Sequence, residues 1–264
     1  MENNLDTIFP FGKQLKRVQQ TGTTRSGKKV FVLGIYADVV NARWIDTRGK
    51  EIVPAIPVAS EPEIYWTGTG AEKTIADLSI PAELGTLEIA SDEYNGVIGR
   101  TLDTLFLEPL GYTRNDAWLC NLIREPRMDE SQRLVIDKRY KPVVEKFELP
   151  PATVPDFDKT ETNPLGRRND ILEELEKSAA DTIIVLGELP LSWFFKFYDE
   201  RFSKLSDFGE TNETYGKSHE ITINNKVYNV VPLAHPRQVG PATISTSKWK
   251  ALHLSWAEQK GVKA

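Results

Sequence analysis

Apolar residues along this chain fall into two patterns. Short unbroken runs mark strands buried on both faces: Lys29-Val30-Phe31-Val32-Leu33-Gly34, Ala117-Trp118-Leu119-Cys120-Asn121-Leu122-Ile123, Asp181-Thr182-Ile183-Ile184-Val185-Leu186-Gly187 and Tyr228-Asn229-Val230-Val231-Pro232-Leu233. Between them apolar residues recur every three or four positions, the helical period. Tyr94 to Leu107 carries it through Tyr94, Val97, Ile98, Leu102, Leu105 and Phe106, with Ser91 as the expected N-cap and Gly111 as the stop. Asn169 to Ala180 repeats it, Leu189 to Tyr198 is shorter and aromatic, and Ser245 to Gln259 sets Trp249, Leu252 and Trp256 on one stripe. Buried strands alternating with helices pair in parallel through crossover connections. Ligands of such sheets bind beyond the carboxyl ends of the strands.

Three segments break the rhythm. Asp46 to Ala90 is rich in Gly, Pro, Thr and Glu, with strand-like pieces such as Ile64-Tyr65-Trp66, and reads as an insertion of hairpins or loops. Pro142 to Arg168 is proline-rich and reads as a long surface connection. Glu220-Ile221-Thr222-Ile223 and Lys226-Val227-Tyr228 flank Asn224-Asn225, a tight-hairpin signal because asparagine tolerates positive φ.

Composition narrows the class. The 264 residues are 40% hydrophobic and 27% charged, enough for one large globular domain with a sizeable core. No apolar run approaches the roughly 20 residues that span a bilayer, and Met1 to Asp6 lacks the basic and apolar regions of a signal peptide. Cys120 is the single cysteine, which excludes an internal disulfide and a four-thiolate cluster and fits a reducing cytoplasm. A net charge of −5 argues against a broad nucleic-acid coat. Positive charge does gather at Lys13-Lys16-Arg17, Arg25-Lys28-Lys29, Arg124-Arg127-Arg133, Lys138-Arg139-Lys141 and Arg167-Arg168, which local reading treats as solvated faces. No glycine-rich phosphate loop follows a strand, which weighs against a nucleotide enzyme.

Five stretches stand at or near strand ends. They are Leu33-Gly34-Ile35-Tyr36-Ala37-Asp38, Glu93 to Asp103, Leu119-Cys120-Asn121-Leu122-Ile123-Arg124-Glu125-Pro126-Arg127, Ile183 to Leu191, and Leu233-Ala234-His235-Pro236-Arg237-Gln238. In order and spacing they resemble the motifs of the uracil-DNA glycosylase superfamily, most closely its thermophile-type iron–sulfur branch, across nearly the whole chain. The resemblance implies a three-layer α/β/α fold around a central four-stranded, mainly parallel sheet, in one domain with 46–90 inserted.

The same resemblance assigns roles. Asn121 matches the asparagine that reads the Watson–Crick edge of uracil, and an amide offers the acceptor and donor that uracil N3–H and O4 require. Tyr94 matches the aromatic that stacks on the extruded base, and His235 the histidine that stabilises the departing base. Tyr36 lies where some branches carry a catalytic Asp or Asn, so it is assigned to the base pocket and Asp38 to water activation. Ala37 replaces the usual proline, and Arg237 the usual serine. Glu125 takes the place of a cluster cysteine, so the resemblance implies no metal and no cofactor. Arg124, Arg127, Arg237 and Gln238 are the implied DNA contacts.

The expectation is a monofunctional hydrolase, monomeric and cytoplasmic, acting on DNA that contains uracil or another damaged base. The alternative is a nucleic-acid-binding module of the same fold with altered chemistry, which Tyr36, Ala37 and Arg237 favour. His219 and His253 lack any such context and receive no role.

Overall fold

In the computed structural model, which describes residues 7–20, 27–158, 164–240 and 248–262, all four buried runs are strands of one sheet. The strands are β1 (Val30–Tyr36), β2 (Val39–Ile45), β3 (Glu51–Ser60), β4 (Thr86–Ile89), β5 (Ala117–Ile123), β6 (Thr182–Leu186), β7 (His219–Ile223) and β8 (Lys226–Leu233). The α-helices are α1 (Ala71–Ala76), α2 (Val97–Leu102), α3 (Glu130–Val135), α4 (Lys141–Val144), α5 (Pro164–Ser178), α6 (Glu188–Trp193), α7 (Pro236–Val239) and α8 (Lys248–Gln259). The chain divides into two compact units: Met1–Val18, Tyr36–Val97 and Arg124–Glu161 form the first, and Gln19–Ile35, Ile98–Ile123 and Thr162–Ala264 the second.

The second unit holds the mainly parallel sheet, in the order β5-β1-β6-β8-β7. Val30 pairs in parallel with Thr182, and Thr182 with Asn229. The Lys29 amide donates to Asp116 O at 2.8 Å, so β1 and β5 start side by side and run the same way. The sheet has five strands where four are expected. The Asn224-Asn225 hairpin, with both residues left-handed at φ 48° and 64°, folds β7 back onto β8 as an antiparallel edge. The central strands are buried on both faces, as their unbroken apolar runs require.

Helix α5 seals the opposite edge. Its Arg167 guanidinium donates to the backbone oxygens of Asn121 (2.6 Å) and Leu122 (3.1 Å), near the end of the edge strand β5. The same guanidinium meets Glu174 Oε1 at 2.8 Å and Cys120 Sγ at 3.1 Å, and Trp118 Nε1 donates to Glu174 Oε2. Arg167 is therefore a buried clamp and not part of a solvated face. On α8 the buried positions are His253, Trp256 and Ala257; Trp256 of the expected stripe is buried, and Trp249 and Leu252 are partly buried. The expected start of that helix at Ser245 lies outside the described residues.

The first unit is built on an antiparallel sheet, β3-β2-β4, with bulges between β2 and β3. Phe9, Phe11, Trp44, Ile56 and Tyr140 fill its core, and Trp44 Nε1 is satisfied by Leu84 O at 2.7 Å. Ile64 to Trp66 is a turn and not a strand, because Tyr65 sits at φ 53°. The proline-rich segment is also more than a surface connection. Val154 is buried, Met128 N bonds Pro155 O at 2.9 Å, and Tyr140 Oη donates to Pro150 O. Prolines bring no N–H that needs a partner, so this run can lie against a core.

Candidate functional site

In the second unit, Asn121 lies near the carboxyl end of β5, and Ala234-His235 leave the carboxyl end of β8. Between them end β1 and β6. A Cβ placed on Gly187, just past β6, would stand 3.3 Å from His235 Cβ and 3.9 Å from Ile35 Cδ1. These strand ends converge on one rim of the sheet. With β1 and β6 intervening, Asn121 and His235 are three strand spacings apart, about 14 Å between backbones.

Asn121 is 2% exposed, yet its Oδ1 has no hydrogen-bond partner among the described residues, and neither does its Nδ2. Its backbone carbonyl is taken by Arg167, so the strand is held while the amide stays unspent. A buried carbonyl oxygen left this way costs about 1–3 kcal/mol, which a ligand N–H would return.

His235 is fixed by the local fold. It is the N-cap of α7, and its Nδ1 accepts the Arg237 amide at 3.1 Å, while Gln238 Oε1 returns a bond to the His235 amide. An accepting Nδ1 puts the ring proton on Nε2. Desolvation, with Arg237 nearby, pushes the imidazole down to about 3, so it is neutral at physiological pH although an edge of the residue reaches the surface. Its Nε2–H meets no partner among the described residues. Gln238, expected to contact DNA, spends its side-chain oxygen on this cap.

Behind His235 runs a buried relay that sequence reasoning missed. Tyr215 Oη accepts the Ala234 amide at 2.8 Å and lies 2.8 Å from His253 Nδ1, and His253 Nε2 lies 2.9 Å from Leu105 O. A carbonyl only accepts, so His253 donates through Nε2 and accepts the Tyr215 O–H on Nδ1. Burial pushes His253 down to about 4 and keeps it neutral, and pushes the Tyr215 hydroxyl up. Tyr215→Phe leaves two buried partners unsatisfied, at about 1–3 kcal/mol each. A urea titration should show the loss, and a variant as stable as the wild type would refute the relay.

In the first unit, helix α2 starts at Val97 and not near Ser91, because Gly96 stands at φ 70° and ends the preceding turn. Tyr94 thus lies in a loop and is 39% exposed. Two buried asparagines pin that loop to β2. Asn41 N donates to Asn95 Oδ1 at 2.8 Å, Asn95 Nδ2 to Asn41 O at 2.9 Å, and Asn41 Nδ2 to Tyr94 O at 2.8 Å. Gly96 is required here, since a Cβ would fall 2.0 Å from the Thr67 carbonyl carbon.

Asp38 lies between β1 and β2, partly buried, and its Oδ1 accepts the Val39 amide at 2.9 Å. Glu61, at the end of β3, is 4% exposed. Its amide donates to Asp38 O at 3.0 Å, and its Oε2 accepts the Trp66 amide at 3.1 Å. Burial first, then the Asp38 charge, raises its carboxyl to about 8. In the sequence only its place, directly after an apolar strand, sets Glu61 apart. Tyr36 packs its ring 4.8 Å from Phe157.

The expected DNA-contact arginines divide. Arg127 is 8% exposed and donates to Pro126 O, so its guanidinium is spent inside the fold. Arg124 is partly buried, with its Nε fully so, and Arg237 is half-buried. Glu125 is bonded to Arg17 Nε at 2.6 Å, and Cys120 is buried, so these positions do not suit a thiolate cluster. Among the described residues no three His, Cys, Asp or Glu side chains are grouped to hold a metal ion, and no helix is long and apolar enough to cross a membrane.

Comparison of the chain with protein-family models and with curated proteins found no match.

Proposed function

We propose that this protein is a monofunctional DNA glycosylase of the uracil type, with a three-layer α/β/α core. The observation that carries the reading is the unspent, buried Asn121 amide on the same sheet rim as the locked Nε2–H of His235. One faces a ligand with an acceptor and a donor; the other offers a donor alone. Uracil complements both, through N3–H and O4 on one edge and O2 on the other.

The target base leaves the stack and docks at this rim of the sheet. The C1′–N1 bond breaks with its electron pair going to the base, leaving an oxocarbenium-like sugar. His235 donates a hydrogen bond to O2 as charge gathers there, and because its ring is neutral the N–H proton stays on nitrogen. Water then bonds to C1′ and gives up a proton, for which Asp38 is the assigned acceptor. Tyr94, exposed on its pinned loop, is assigned to stacking, worth about 1–3 kcal/mol per base. Arg124 and Arg237 remain the assigned phosphate contacts.

The test is release of free uracil from single-stranded uracil-containing DNA. Asn121→Ala removes two hydrogen bonds worth about 1–1.5 kcal/mol each, so kcat/KM should fall about 30- to 150-fold. Wild-type protein that binds the DNA and releases no base would instead make it a binding module. Tyr36 in the catalytic position, with Asp38 Oδ1 accepting the Val39 amide, is what favours that second outcome.

A further inference from the structure

We propose that Glu61 is a positioning residue: its main-chain amide holds the strand end carrying Asp38, and its buried carboxyl group holds the turn on which the Tyr94 loop rests. Three observations within the first unit converge on it. The Glu61 amide holds Asp38 O at 3.0 Å, and its Oε2 holds the Trp66 amide at 3.1 Å. Thr67 and Gly68 follow directly, and their peptide is the surface against which Gly96 packs too closely to admit a side chain. Gly96 in turn ends the loop bearing Tyr94, which Asn41 and Asn95 fasten to β2. Glu61 thus stands at the junction of the assigned water-activating group and the assigned stacking ring, and touches neither reacting centre.

A carboxyl group there must stay neutral to do this without cost. The charged side chain that faces it is Asp38, and the turn supplies only main-chain N–H groups, from Tyr65 and Trp66. Ionising Glu61 sets a second negative charge beside the first in a site closed to water. The folded protein holds the Glu61 proton up to about pH 8, whereas an ordinary glutamate releases it near 4.5. Between those values the native state binds more protons than the unfolded chain, so this contribution to stability is full below the lower value and is lost as pH rises through the upper one.

Glu61→Gln keeps the shape and the neutral form. Relying on the glycosylase reading for its activity arm, the proposal expects uracil release by this variant within about threefold of wild type at pH 7 with KM unchanged. Above pH 8 wild-type release declines and the variant's does not. The stability arm needs no activity: urea midpoints should fall between about pH 4.5 and 8 for wild type and level off above, and stay level for Glu61→Gln. Should Glu61→Gln fail to fold, Asp38→Asn serves in the stability arm, because it keeps the bond to Val39 and removes the facing charge, so the fall in the urea midpoint should end at lower pH. A pH-dependent fall identical in wild type and Glu61→Gln, or unmoved in Asp38→Asn, overturns the proposal. Absence of uracil release by wild type overturns the glycosylase reading and leaves the stability arm standing.

Discussion

Replacing His235 with asparagine should lower kcat for uracil release about 10²- to 10³-fold, with KM and thermal midpoint near wild type. The reasoning separates two duties of one side chain. Nδ1 caps α7 by accepting the Arg237 amide, and asparagine is among the best residues for that duty. Nε2–H is the donor for the departing base, and the shorter asparagine spends its oxygen on the cap and cannot extend a donor as far. Loss of a single donor to a developing anion typically has an effect of this size. Steady-state kinetics on uracil-containing DNA, with a melting curve alongside, decides it. Unchanged kcat would remove His235 from the chemistry, and a collapsed midpoint would assign it to structure alone.

Arg167→Ala should be the most destabilising single change in the second unit, at about 3–5 kcal/mol. Both members of the Arg167–Glu174 pair keep only 11% of their side-chain surface exposed, so removing the cation strands a carboxylate that also holds the Trp118 indole. The carbonyls of Asn121 and Leu122 lose their donor in the same step. Exchanging both partners, as Arg167→Met with Glu174→Leu, should recover part of the loss, since no charge is then left unpaired. Equilibrium urea unfolding measures this, and a cost below about 1 kcal/mol for Arg167→Ala would show the clamp to be idle.

The sheet was legible because burial on both faces writes itself as unbroken apolar runs. The predicted Ala117–Ile123 run matches β5 end to end, and the Asn224-Asn225 turn announces its hairpin through two residues that accept positive φ. Helix α2 was misplaced because the periodicity of Tyr94 and Val97 continues across a point where Gly96 is pressed onto a distant peptide. That contact, like the Asn41–Asn95 pairing, joins residues far apart in sequence and leaves no local trace. Asn121 stood out because an amide is rare in an apolar run. Glu61 sat in a glutamate-rich stretch where burial does not show, and His253 on a helix whose tryptophans drew the eye. Arginine counts misled most: Arg127 and Arg167 contribute to basic clusters on paper, but their guanidinium groups are spent inside the fold.

The strand order has a consequence for biogenesis. Strand β1 lies between β5 and β6, yet leaves the ribosome well before either. At about 5–20 residues per second, a translating chain carries this apolar ribbon without lateral partners for on the order of ten seconds. During that interval it is a natural client for a holdase, and slowing elongation after β1 should raise the yield of aggregate rather than of native protein.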